Sequence, residues 1–180
     1  IPGVKAYIDH VEVKKRTRGG DYVSVGVQHV IDYGSRWQFA MVVNSTGEQE
    51  ALQCVTAYAE STSRWPRVLH CDAHQGYCGD AFQRVMQRLN VILEVGAPET
   101  PSQQGMIERA HLTLQETFKR LDDELVALYG LQVTSKVVLS ATILALNGLT
   151  GRHGYSPSFL MNGRELSLYD YGVGDAQIAR

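Results

Sequence analysis

The sequence predicts an α/β fold: a five-stranded mixed sheet, three antiparallel strands and then two parallel ones, flanked by helices. Three observations carry that expectation. Segments 4–13, 22–32 and 36–44 are apolar-rich, near-alternating runs joined by short links, the pattern of an antiparallel meander. Two shorter apolar runs, 67–72 and 91–96, each follow a stretch of helical composition, and a strand–helix–strand crossover returns parallel. Beyond residue 100 the chain reads as long helices and then loop.

Taken in order, "VKAYIDHVEV" (4–13) is the first strand, and "KKRTRGGD" (14–21) is a basic turn punctuated by Gly19-Gly20. "YVSVGVQHVID" (22–32) and "RWQFAMVVN" (36–44) are strands joined by a tight turn at Tyr33-Gly34-Ser35. "GEQEALQCVTAYAEST" (47–62) is a helix that Thr46 can cap. "RVLHCD" (67–72) is a buried strand after Pro66. "GDAFQRVMQRL" (79–89) is an amphipathic helix with Phe82, Val85, Met86 and Leu89 on one face. "VILEVG" (91–96) is the fifth strand. Helices over about 103–128 and 134–148 follow, and a loop-rich tail starts at Gly151. This order allows the first and fourth strands to lie side by side at the sheet centre.

The chain has 180 residues, 44% apolar and 20% charged, which suits one globular domain with a sizeable core. Its formal charge of −2 does not announce a nucleic-acid binder, so any such role must rest on local charge. No apolar run approaches the roughly 20 residues of a membrane helix. "IPGVKAYIDH" has neither a signal-peptide core nor a starting Met, and reads as the cut end of a longer protein. Three cysteines, Cys54, Cys71 and Cys78, form no disulfide framework and suit a reducing compartment.

The chemistry is carried by acids. Asp9 lies inside the first strand between Ile8 and Val11, where an unpaired carboxylate is costly. Asp72 ends the fourth strand, and carboxyl ends of strands in α/β sheets face the ligand crevice. Glu108 follows after thirty-five intervening residues, on the long helix. Each alone reads as a strand-edge residue, a loop cap or a solvated helix residue. Together they can converge, and converging carboxylates repel unless cations sit among them. Mg²⁺ or Mn²⁺ fits such oxygen ligands. Two ions per site would serve phosphoryl transfer on a nucleic acid, with +4 against −3 from the side chains. A zinc reading of His70, Cys71, His74 and Cys78 fails, because strand neighbours point to opposite faces and the spacing matches no common zinc pattern. Trp37, Phe39 and Trp65 read as core or interface residues.

"IDHVEV", "LHCDAHQGYCGDAF" and "TPSQQGMIERAHLTL" resemble the three catalytic motifs of integrases from retroviruses and long-terminal-repeat retrotransposons. "IDYGSRW" (31–37) is similar to that family's second-to-third strand corner. "HGYSPSFLMNGRE" (153–165) is similar to its C-terminal segment, and leans toward gypsy-like elements. The resemblance covers about residues 4–166, so the chain divides into a catalytic core over 1–166 and a tail or linker start over 167–180. It implies an RNase H-like fold and a polynucleotidyl transferase that trims the 3′ ends of element DNA and joins them to target DNA. It makes Asp9, Asp72 and Glu108 the catalytic, metal-holding residues, Asp9 and Asp72 shared and Glu108 on the second ion. It also implies homo-oligomers, with self-association through the helices at 47–62 and 103–148, and action in the nucleus. The family's zinc-binding and C-terminal domains are absent from this fragment. Two departures bear on substrate contacts: the glycine after Asp72 falls two residues late, at Gly76, and His111 stands where gypsy-like relatives often carry asparagine.

Candidate DNA contacts are the basic tip Lys14, Lys15, Arg16 and Arg18, then Arg109, His111, Gln115 and Lys119 on the long helix. Residues 108, 111, 112 and 115 share one helix face, which meets either DNA or water. Three functional classes remain open: an active integrase core, a bacterial-type transposase with the same fold and triad, and a captured integrase core kept for protein contacts.

Overall fold

A computed structural model describes residues 1–96, 100–130, 133–151 and 154–164. The elements are β1 (Lys5–Arg16), β2 (Tyr22–Asp32), β3 (Gln38–Val42), α1 (Glu48–Thr62), β4 (Val68–Cys71), α2 (Gln75–Cys78), α3 (Asp80–Arg88), β5 (Ile92–Val95), α4 (Pro101–Tyr129), α5 (Ser135–Gly148) and α6 (Pro157–Asn162). The sheet order is β3-β2-β1-β4-β5. β1 pairs antiparallel with β2 and β2 antiparallel with β3, while β1–β4 and β4–β5 are parallel. The expected α/β architecture is therefore found, with the first and fourth strands adjacent at the centre.

Side chains alternate across β1 with period two and build a core on each face of the sheet. Ala6 and Ile8 join Val55, Tyr58, Leu69 and Phe82 beneath α1 and α3. Val13 joins Val27, Leu114, Phe118, Val138 and Leu139 beneath α4 and α5. Tyr7 and Ile31 meet Met106 and Ile107 of α4 in a smaller cluster on that second face. Trp37 is part of the first core, and Phe39 and Trp65 pack against it.

Several segments differ from their sequence reading. Lys14, Lys15 and Arg16 belong to β1, not to a turn, because they pair with Ser24, Val23 and Tyr22; the turn is residues 17–21. α1 is capped by Gly47 rather than Thr46, without a side-chain hydrogen bond, and Glu48 and Glu50 supply acid in its first turn. The loop after Asp72 contains the single-turn helix α2, whose N-cap His74 accepts the N–H of Gly76 through Nδ1 at 3.2 Å. Leu89 caps α3 and is more than a third exposed, whereas Phe82 and Met86 are buried. α4 begins earlier than the composition suggests: Thr100 accepts the N–H of Gln103 at 3.3 Å and Pro101 takes the first helical position. At its other end Gly130 turns left-handed (φ +60°) and closes the helix.

Two segments behind the family resemblance prove to be structural devices. In "IDYGSRW" the buried carboxylate of Asp32 accepts the N–H of Gly3 at 2.7 Å and both the N–H and hydroxyl of Ser35 at 2.7 Å, fixing the corner and the N-terminus together. In the C-terminal segment, expected to be loop, Ser156 caps α6, Pro157 starts it and Gly163 ends it, with Met161 buried. His153, Glu165 and the tail 167–180 lie outside the described residues. β3, an edge strand, is held by Asn147 of α5, which accepts the Gln38 N–H at 2.8 Å and donates to its carbonyl at 2.7 Å. All three cysteines are free thiols. Among the described residues no helix is long and apolar enough to cross a membrane.

Candidate active site

Strand register brings the two aspartates together. Ile8 of β1 lies opposite Cys71, the last residue of β4, so Asp9 and Asp72 follow side by side where β4 stops and β1 continues. Their charges act on each other. Burial pushes the Asp9 carboxyl up to about 6, and the neighbouring Asp72 charge adds to the rise, against the Asp9–His10 N–H bond of 2.7 Å. Packing fixes the loop after Asp72 from behind. The Glu48 carboxylate accepts the N–H groups of Ala81 (3.0 Å) and Phe82 (3.2 Å) at the start of α3, and a side chain at Gly76 would collide with the Thr46 carbonyl.

Glu108 comes to the same region on α4 but stays exposed, where it accepts the side-chain amide of Gln104 at 3.0 Å. His111, one turn further on, feels the charges of both Asp72 and Glu108, and its Nδ1 lies 3.9 Å from Asp9. Burial holds the His111 imidazole down near 4, so at neutral pH it is uncharged and the approach to Asp9 is no ion pair. Its ring stands 5.3 Å from that of His29, which burial holds near 3 and which shares a 3.0 Å hydrogen bond with Gln38. The site floor is thus neutral imidazole, and the charge above it is carboxylate.

The structure therefore joins Asp9 to Asp72 and brings Glu108 nearby without closing a triad. Among the described residues no three His, Cys, Asp or Glu side chains gather closely enough to hold one ion. An oxygen-only pair of mutually repelling carboxylates does fit a hard divalent cation that keeps its remaining positions for water and phosphate.

The candidate DNA contacts divide differently. Lys14 donates to Ser24 at 2.6 Å. Lys15 pairs with the buried Asp122, which also accepts the Arg16 N–H at 2.7 Å. The Arg16 guanidinium and Lys119 both reach Asp123, at 4.0 and 2.9 Å, and Lys119 lies 4.6 Å over the Tyr22 ring. This cluster is six residues along β1 from Asp9, about 20 Å away at strand rise. Gln115 donates to the Glu12 carbonyl at 2.9 Å, and His111 faces the sheet. Arg109 bonds the Gly105 carbonyl through Nε at 3.1 Å and is exposed, as is Arg18 in the turn. The sequence reading missed Tyr7, Gln104, Asp122 and Asp123. Alternation two residues before Asp9 points to Tyr7, and four-residue spacing points to Gln104 and Asp123; the burial of Asp122 left no mark in the sequence.

No family model matches the chain. It is 39% identical over 89 residues to the Gag-Pro-Pol polyprotein of squirrel monkey retrovirus, covering 46% of this chain and 4% of that protein. It is 36% identical over 72 residues to the intracisternal A-particle Pol-related polyprotein of mouse, covering 39% and 8%. The chain thus spans only a small fraction of these curated relatives. Solved structures agree along nearly the whole length. The BIV integrase catalytic core superposes with a TM-score of 0.70 at 17% identity, covering 88% of this chain and 93% of that one. The HTLV-2 integrase core in complex with magnesium, dimeric form, gives 0.73 at 11% identity, covering 90% and 98%. A chain of the simian T-cell lymphotropic virus intasome in complex with PP2A regulatory subunit B56 gamma gives 0.75 at 16%, covering 93% and 57%. The fold is that of retroviral integrase catalytic cores, RNase H-like.

Proposed function

We propose that this chain is the catalytic core of an integrase of the retroviral and long-terminal-repeat retrotransposon kind: a polynucleotidyl transferase that trims element-end DNA and joins it to target DNA in the nucleus. The observation that carries this reading is the Asp9–Asp72 pair, set side by side at the end of β4, with Glu108 on a helix packed over the same sheet face. Bound Mg²⁺ or Mn²⁺, two ions per site, would activate the attacking oxygen and stabilise the leaving one at phosphorus. Asp9 and Asp72 would supply oxygen ligands to such ions, and Glu108, once released from Gln104, would add another. His111 and His29 give the floor a neutral lining beneath the carboxylates. Arg18 and Arg109 are exposed cations available to the phosphate backbone.

Homo-oligomers fit the same reading. The outer face of α5 leaves Val137 and Leu144 about half exposed, an apolar strip suited to a second copy. The decisive experiment is strand transfer with Mn²⁺ and a short duplex carrying an element end. Product from the native chain and none from Asp72→Asn is expected; equal product from both removes the catalytic reading.

A further inference from the structure

We propose that Tyr7 is a positioning residue for the acid pair: its hydroxyl donates between Asp9 and Asp72 and holds their remaining oxygens toward one shared divalent cation. The proposal rests on the reading of those two acids as cation ligands, and adds a residue beyond the three acids.

Tyr7 is on β1, two residues before Asp9 and on the same face of the sheet, and is 3% exposed. The β1–β4 register sets Tyr7 opposite His70, and Asp9 and Asp72 each follow two residues further along their chains, so the phenol lies beside the acid pair on one face of the sheet. A phenol carries one proton, so this single O–H stands between two acceptors that would otherwise only repel. An ordinary phenol keeps its proton at neutral pH, so Tyr7 offers a donor there and not a third anion.

The ring has no freedom to turn that donor elsewhere. His70, opposite Tyr7 in the β1–β4 register, lies 5.5 Å from it, centroid to centroid, and His111 lies 6.5 Å away. Met106 and Ile107 of α4 complete the packing. His70 is itself held by the Gly96 carbonyl at 2.7 Å. One row of rings therefore ties together β4, β1 and α4, the three elements that carry Asp72, Asp9 and Glu108. A donor fixed by rigid elements behind a ligating carboxylate orients the oxygen that faces the ion, and loss of such a partner typically weakens metal binding about 10–100-fold.

The test is Mn²⁺ binding to the 180-residue chain, measured by calorimetric titration, with melting followed in the absence of metal. Tyr7→Phe keeps the ring and removes only the hydroxyl. It is expected to weaken binding about tenfold or more while moving the metal-free Tm by no more than about 3 °C. An unchanged Kd overturns the proposal. A second pair remains informative should Tyr7→Phe not fold: Tyr7→Gln restores a donor that its near-isostere Tyr7→Leu lacks. Tighter Mn²⁺ binding by the Gln variant supports the proposal, and equal binding by the two overturns it. Asp72→Asn separates the levels of the argument. If it abolishes binding while Tyr7→Phe does not, only the role of Tyr7 falls. If it binds as the native chain does, the cation reading and the role of Tyr7 fall together.

Discussion

Lys15 of β1 and Asp122 of α4 form an ion pair inside the protein rather than on its surface. The Asp122 side chain is fully buried, that of Lys15 is 12% exposed, and the Arg16 N–H supplies the carboxylate with a second donor at 2.7 Å. The pair clamps the distal end of the β1–β2 hairpin onto the long helix. Removing one member leaves a buried charge without its partner, which costs about 3–5 kcal/mol. Asp122→Ala is therefore expected to lower unfolding free energy by about 3 kcal/mol or more in urea titration. A loss under about 1 kcal/mol would show that water reaches the pair and screens it.

That clamp bears on where DNA binds. Lys15, Arg16 and Lys119 are already engaged with Asp122 and Asp123, whereas Arg18 and Arg109 have no acidic partner within 4.0 Å among the described residues. Each cation that meets a phosphate releases counterions and adds about one to the slope of log affinity against log salt. Arg18→Ala and Arg109→Ala are each expected to flatten that slope by about one. Lys119→Ala is expected to leave it unchanged. A salt series of binding isotherms on a short duplex measures all three, and a flattened slope for Lys119→Ala would show that DNA draws Lys119 away from Asp123.

The acid pair and the buried imidazoles pull stability in opposite directions with pH. Burial holds His29 near 3 and His111 near 4, so the unfolded chain takes up protons near 6.5 that the folded chain refuses. That stability is present above about 6.5 and is lost as pH falls toward 4. Asp9 has the opposite sign: raised to about 6, it prefers its proton in the folded state, so its ionisation costs stability above about 6 and the cost is relieved below it. Asp9→Asn is expected to stabilise the metal-free chain at pH 7 by on the order of 2 kcal/mol. It should also steepen the loss of stability between pH 6.5 and 4, because the compensating relief is gone. Urea midpoints for both chains across that range test the signs, and parallel pH profiles would refute the Asp9 assignment.

Much of this was legible in the sequence because period-two alternation and glycine–proline punctuation act locally. The sheet order followed from where helices interrupt strands, and Asp9 and Asp72 stood out as acids in strand contexts. The basic residues 14–16 were misread because charge alone suggests a turn. Only the β1–β2 register and Asp122, more than a hundred residues later, explain why those side chains stay in a strand. The single-turn helix α2 was unreadable for a similar reason: four residues carry no period, and its cap His74 is an unusual one. Tyr7 belongs to β1 by pattern, but its proximity to Asp72 exists only once β4 lies parallel beside it.

Glu108 is the acid the fold leaves unsettled, and ion counting tests it directly. It is exposed, bonded to Gln104 at 3.0 Å, and not gathered with the two aspartates. Asp9 and Asp72, by contrast, already repel each other, so an ion between them relieves a cost that exists without it. The first ion is therefore expected to depend on the aspartates and the second on Glu108. Mn²⁺ at about a hundredfold excess over its Kd is worth about 2.7 kcal/mol to the folded state, or roughly 5–10 °C in Tm for a chain of this size. Asp9→Asn and Asp72→Asn are expected to abolish that rise. Glu108→Gln is expected to keep most of it while removing the weaker class of sites in an electron paramagnetic resonance titration of Mn²⁺. Full native stoichiometry in Glu108→Gln would take Glu108 out of the metal site and leave a single-ion centre on the aspartate pair.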